Sequence, residues 1–149
     1  MLKTLIAVVL TLAVVCSAIA QTDPLSKTVS GITFYLGVMP AEIVRGHPSE
    51  HPESTMHGLP PKGSGARHVV VALFDAKTGE RIAGASVSGR VEQVGLAAEQ
   101  KDLEPMQIAG TLTYGNFYAM PGGGIYKIKI VVKRKGTSSR IEAEFEYHA

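Results

Sequence analysis

The chain has 149 residues, 45% of them hydrophobic, with 15 Lys and Arg against 13 Asp and Glu and a formal net charge of +2. A chain of this length builds one domain with a sizeable core, and so balanced a charge argues against nucleic acid or an anionic membrane surface as its partner. Its single cysteine, Cys16, falls within the first twenty residues, so the remainder is expected to hold together through its core, without disulfides.

Residues 1–20, "MLKTLIAVVLTLAVVCSAIA", carry one early cation, Lys3, then an apolar run from Leu5 to Val15 and a small-residue end at Ala18-Ile19-Ala20. This is the pattern of a secretory signal peptide, and the run is shorter than the roughly 20 residues that span a bilayer. Cleavage is expected after Ala20, leaving residues 21–149 as one exported domain, with the bacterial periplasm as its compartment.

Beyond residue 20 the hydrophobic pattern has period two. "GITFYLGVM" (31–39) is β-branched and aromatic and reads as a strand. A long connection follows at 46–65, rich in His, Pro and Gly, and loops of that length in compact domains are usually functional or disordered. "ARHVVVALFDA" (66–76) is almost continuously apolar, as a central strand would be, and "DAKTGER" supplies a turn. Strands are expected at 85–94, with Gly89 as a bulge, and at 111–120, bent at Gly115. The acidic segment 96–106 reads as a loop between them. The last two strands are "IYKIKIVV" (125–132) and "IEAEFEYH" (141–148), each with one apolar and one charged face. A turn at Gly136-Thr137 places Lys129 opposite Glu144 and Lys127 opposite Glu146. About seven short strands and no long helix predict an all-β fold, a single antiparallel β-sandwich of immunoglobulin type.

The chemistry-bearing residues concentrate in "GHPSEHPESTMHG" (46–58), which holds His47, His51, Met56 and His57. Imidazole and thioether without cysteine, in an oxidising compartment, is a donor set that suits copper. Glu50 and Glu53 would add oxygen atoms or orient the imidazoles. The prolines after His47 and His51 keep the segment extended, so a tight site needs donors from elsewhere, and the competing reading is a polar loop. His68, at the head of the apolar strand, is the other candidate imidazole; capping or half-burial is its plainer role. His148 is expected to be exposed.

Residues 103–132, "LEPMQIAGTLTYGNFYAMPGGGIYKIKIVV", resemble the C-terminal half of the periplasmic proteins associated with high-affinity iron uptake. The likeness rests on Pro105-Met106, Tyr114-Gly115, Met120-Pro121-Gly122 and Tyr126-Lys127. "FDAKTGERIAGASV" (74–87) also looks like the short Ig-like domains of exported copper-accessory proteins. The resemblance implies an immunoglobulin-like, dimeric, copper-binding domain in which Met106 matches a methionine ligand. Two positions depart from it: Glu104 stands where that family has another methionine, and Thr113 stands where it has a histidine. The implied centre is therefore a rearranged one, with Met106 meeting His68 or the histidines of the 46–58 segment; as ordinary core residues, Met106 and Met120 would need no metal.

Nothing here supports catalysis. There is no Ser-His-Asp arrangement to prefer over chance, no cysteine nucleophile after residue 20, and "PGGG" (121–124) joins two strands as a turn. The expectation is a non-catalytic periplasmic metal-binding protein, for copper, serving metal handling or iron uptake. Its expected partners are the metal ion, an inner-membrane transporter or other envelope protein, and a second copy of itself. The alternative is an exported interaction module that docks on an envelope partner without metal.

Overall fold

A computed structural model describes residues 24–45 and 65–149. Residues 1–23, with the expected signal peptide, and the 46–64 segment, with His47, His51, Met56 and His57, lie outside the described residues. Eight strands run in chain order: β1 (Ser26–Val29), β2 (Ile32–Pro40), β3 (Ala66–Asp75), β4 (Ser86–Gln93), β5 (Glu99–Ile108), β6 (Thr111–Ala119), β7 (Ile125–Lys133) and β8 (Arg140–His148), with a five-residue helix α1 (Ala41–Arg45) after β2. Every pairing is antiparallel, in the order β1-β2-β3-β6-β5-β4-β7-β8. At the ends of that order β1 approaches β8, where the Lys27 ammonium donates to the Glu144 carbonyl. The result is an all-β, nearly closed sandwich of eight strands, one more than the sequence patterning predicts.

The strands that the patterning does not delineate are the short β1 and the ten-residue β5, the latter in the segment read as a loop. β5 serves both layers in succession: Glu99–Leu103 pair with β4, and Glu104–Ile108 with β6. Where β5 has left β6, side chains bridge the gap. Asn116 Nδ2 donates to the Asp102 carbonyl at 2.8 Å, Lys101 Nζ donates to the Phe117 carbonyl at 2.6 Å, and the Ala119 N–H donates to Glu99 Oε2 at 3.0 Å. The polar residues that argued for a loop are thus the ones that keep β5 beside β6 after the ladder ends.

The main core lies between the layers. Ile32, Phe34 and Leu36 of β2 and Val69, Val71 and Leu73 of β3 meet Val87, Val91, Ile128, Ile130, Val132 and Phe145 from the other side. Burying a side chain of this size contributes roughly 1.5–3 kcal/mol. Period two sends the alternate residues of each strand outward, and on β3 the outward set is Ala66, His68 and Val70. A second, smaller cluster covers one end of that outer face: Ala41 and Val44, three apart on one side of α1, pack with Ala66 and Phe117, and Met39 lies against them.

The terminal hairpin has the expected register, with Lys129 across from Glu144 and Lys127 across from Glu146. The ion pair that Lys129 forms is nevertheless diagonal, to Glu142 at 3.7 Å. Gly89 is not a bulge, since β4 pairs regularly through it with both neighbours. Its missing Cβ makes room for Tyr118, whose hydroxyl donates to the Gly89 carbonyl at 2.8 Å; a Cβ there would sit 2.6 Å from that oxygen.

Candidate metal centre

The residues in question share the outer face of β2, β3, β6 and β5. His68 is the third residue of β3 and is 1% exposed, fully buried where the sequence suggested a capping or half-buried position. It pairs across the ladders with Met39 on β2 and Phe117 on β6. Directly opposed residues of an antiparallel pair point to the same face, and the imidazole lies against the Phe117 ring with centroids 4.6 Å apart and an interplanar angle of 29°. That stacking holds the ring over β6.

Met106 comes from the other side of β6. It is also 1% exposed but belongs to neither apolar cluster. Across from it stands Thr113, 8% exposed, whose hydroxyl donates to the Met106 carbonyl at 3.4 Å. The position that the resemblance reserves for an imidazole is therefore on the right face, beside the methionine, but offers only a short hydroxyl engaged with the backbone.

Gly115 is what brings His68 and Met106 together. It lies in the middle of β6, paired with Val70 on one side and Glu104 on the other, and is not a bend. A Cβ at this position would lie 3.0 Å from His68 Nε2, 3.0 Å from Met106 Sδ and 3.0 Å from Val70 Cγ1. Both donor atoms thus converge on one point, and are no farther apart than twice 3.0 Å, that is 6.0 Å. First-row metal bonds to imidazole nitrogen and to sulfur are about 2.0 and 2.3 Å, so a bound ion holds the two atoms at most roughly 4.3 Å apart. By donor type, imidazole with thioether, the pair fits copper. Soft thioether favours Cu(I), and imidazole suits either oxidation state.

The other candidates separate cleanly. Met120 is fully buried in the main core and away from this face, so the methionine of Met-Pro-Gly is a packing residue. His148 is exposed and pairs with Glu146 at 3.1 Å. Among the described residues no three His, Cys, Asp or Glu side chains gather as a metal-binding group, so a site on this face would depend on the Met106 sulfur. Sequence reasoning missed Gly115 as its floor and Met39 as the cross-strand neighbour of His68. The signal for Met39 was its place at the end of a strand of period two, on the face opposite Phe34 and Leu36.

On the other face of β6, Tyr118 points into the main core, and Glu99 bridges β5 to Ala119. Burial, and after it the nearby Glu99 carboxylate, push the Tyr118 phenol well above its ordinary value. Glu99 is raised by burial, but the Lys101 ammonium and the Ala119 N–H outweigh this and hold its carboxyl below the usual glutamate value.

No protein-family model matches the chain, and no curated sequence does. Solved structures do. A DUF4426 family protein from Pseudomonas aeruginosa superposes with a TM-score of 0.66 at 12% identity, over 83% of this chain and 92% of that one. FetP of uropathogenic Escherichia coli, in a copper-bound variant form, superposes with a TM-score of 0.60 at 13% identity, over 83% of this chain and 92% of its own. FetP as isolated after expression in the E. coli periplasm gives 0.60 and 13% as well, over 83% and 91%. The resemblance read from residues 103–132 is met as a shared fold extending over most of the chain, with a copper-bound protein among the structures that share it.

Proposed function

We propose that this protein is a non-catalytic copper-binding protein of the bacterial periplasm, and that it serves metal handling or iron uptake. The observation that carries the reading is the convergence of His68 Nε2 and Met106 Sδ over Gly115. No core packing demands an imidazole and a thioether at one point above a missing side chain. The likeness of fold to copper-bound FetP supports the same reading. His68 and Met106 are the anchoring donors. His47, His51, Met56 and His57 are the further donors in this reading, on a segment between Arg45, the last residue of α1, and Gly65, which precedes β3, close in sequence to His68. An envelope transporter that receives or delivers the ion, and a second copy of the chain, are the partners it implies.

The test is an anaerobic Cu(I) titration of residues 21–149 against a chromophoric chelator. The wild type is expected to bind about one Cu(I), and His68→Asn and Met106→Leu to weaken binding at least about tenfold each. Met106→Leu keeps core volume and costs less than about 1.5 kcal/mol of stability, so a loss there is not a loss of fold. Wild-type affinity in both variants removes the centre. A wild type that binds no copper removes the function, and leaves the metal-independent envelope module.

A further inference from the structure

We propose that Glu104 is an oxygen ligand of the same centre, and that it lets the centre hold Cu(II) as well as Cu(I). The inference rests on the reading of His68 and Met106 as copper donors. The backbone register carries it. Glu104 is the residue of β5 directly across from Gly115, the point over which the imidazole and thioether converge. Opposed Cβ positions in such a pair are about 4.5–5.5 Å apart, which puts that point within reach of a glutamate side chain. Met106 is two residues further along the same strand, so period two places carboxylate and thioether on one face.

Pro105 between them reinforces the arrangement. A proline restricts the residue before it to extended backbone, so the direction in which Glu104 leaves the strand is set before any metal arrives. Burial then grades the three donors. His68 and Met106 are each 1% exposed, whereas Glu104 is exposed. The carboxylate stands at the solvent-facing rim of a centre whose other two donors lie beneath it.

The chemistry assigns the role. A thioether is a soft donor that retains Cu(I), and a carboxylate is a hard one that suits the divalent ion, while imidazole serves both. His68 and Met106 alone make a centre biased towards Cu(I). Adding the carboxylate at the rim gives the oxidised ion the anionic oxygen it prefers, and supplies a negative charge where a cation enters from solvent.

The proposal is tested on residues 21–149 with Cu(II) and Cu(I) affinities measured separately by competition, and the Cu(II) form examined by electron paramagnetic resonance. Glu104→Gln is expected to weaken Cu(II) at least about tenfold, to change the Cu(II) hyperfine pattern, and to leave Cu(I) within about threefold. Glu104→Met, which replaces oxygen by a second thioether, is expected to lose Cu(II) equally and to tighten Cu(I). Glu146→Gln, an exposed carboxylate on β8, is expected to change neither. Glu104→Gln with wild-type Cu(II) affinity and an unchanged spectrum overturns the proposal while the His68–Met106 centre stands. A wild type that binds Cu(I) but not Cu(II) does the same. A wild type that binds neither overturns the centre and this proposal together.

Discussion

Gly115→Ala isolates the centre from the fold. The glycine is not among the residues with positive φ, so alanine is acceptable to the backbone and gains about 0.5–1 kcal/mol over glycine within a strand. Against this, the new methyl lies 3.0 Å from His68 Nε2, Met106 Sδ and Val70 Cγ1 at once. Ordinary contacts begin near 3.4 Å, so three neighbours must each retreat by several tenths of an ångström, and overpacking of that kind costs about 1–3 kcal/mol. The net loss of stability is then at most about 2.5 kcal/mol, a fall in Tm of several degrees for a domain of this size. Copper suffers more, because the methyl occupies the point both donors share. A loss of about two decades in Cu(I) affinity, roughly 2.8 kcal/mol, is expected. Gly37→Ala is the matched control: its Cβ would lie 2.9 Å from Val70 Cγ2 on the same face, and no donor atom lies among its nearest contacts. It should reproduce the stability loss and leave copper binding alone. Thermal unfolding and chelator competition on the two variants decide the matter. Wild-type copper affinity in Gly115→Ala, or an equal loss in Gly37→Ala, would refute the argument.

Two further outcomes test the packing of β4, β5 and β6. Tyr118→Phe removes the hydroxyl bonded to the Gly89 carbonyl and should cost about 1 kcal/mol in denaturant unfolding. Gly89→Ala, whose Cβ would meet that hydroxyl at 2.6 Å, should cost more, and part of its cost should vanish in the double variant, since phenylalanine has no oxygen to collide with. Strict additivity would show that the close approach is not what excludes a side chain at Gly89. The Glu99 carboxyl is held below its ordinary value of 4.5 in the folded chain. A lowered folded pKa stabilises fully above the unfolded value and is lost as pH falls through the folded one. Glu99→Gln should therefore lower Tm at pH 6 and flatten its decline between pH 5 and pH 3 (about the range in which the carboxyl titrates), and an unchanged slope would count against the Lys101–Glu99–Ala119 bridge.

The parts of this fold that were legible in sequence are those where one physical demand acts alone. The β7–β8 hairpin shows because one face is core and the other is solvent, so Tyr126, Ile128 and Ile130 alternate with Lys127 and Lys129. β3 shows as a run because its inner residues face the main core while Ala66, His68 and Val70 on the outer face are buried as well. β5 failed for the opposite reason. Leu103 and Met106 are its only buried residues, and much of its hold on β6 comes from Lys101, Asn116 and Glu99 acting as bridges, which in sequence look like solvated charge. The centre was legible in its donors but not in its geometry. His68 and Met106 are nameable from chemistry and resemblance, whereas Gly115 looks like a bend until the strands on both sides of it are placed.

That geometry explains why the departures from the resembled family need not abolish a metal centre. On this face β6 presents Thr113, Gly115 and Phe117: a short hydroxyl turned to the backbone, an empty position, and a ring that orients the imidazole. None of the three is a donor, and together they form a floor. The two side chains arrive from the strands on either side, His68 from β3 and Met106 from β5, and their donor atoms lie no more than 6.0 Å apart, against roughly 4.3 Å for a linear N–Cu–S unit. Two-coordinate geometry is acceptable to Cu(I) and poor for Cu(II). A histidine at position 113 would have added a third donor from the floor itself. With threonine there, a third donor has to come from the rim of the face or from residues outside the described ones. The rim position is Glu104, a carboxylate where the resembled family has the first methionine of its Met-Pro-Met segment. In the proposed centre that exchange of a thioether for an anionic oxygen shifts the balance towards the oxidised ion, while the missing imidazole, which serves both oxidation states, shifts it neither way.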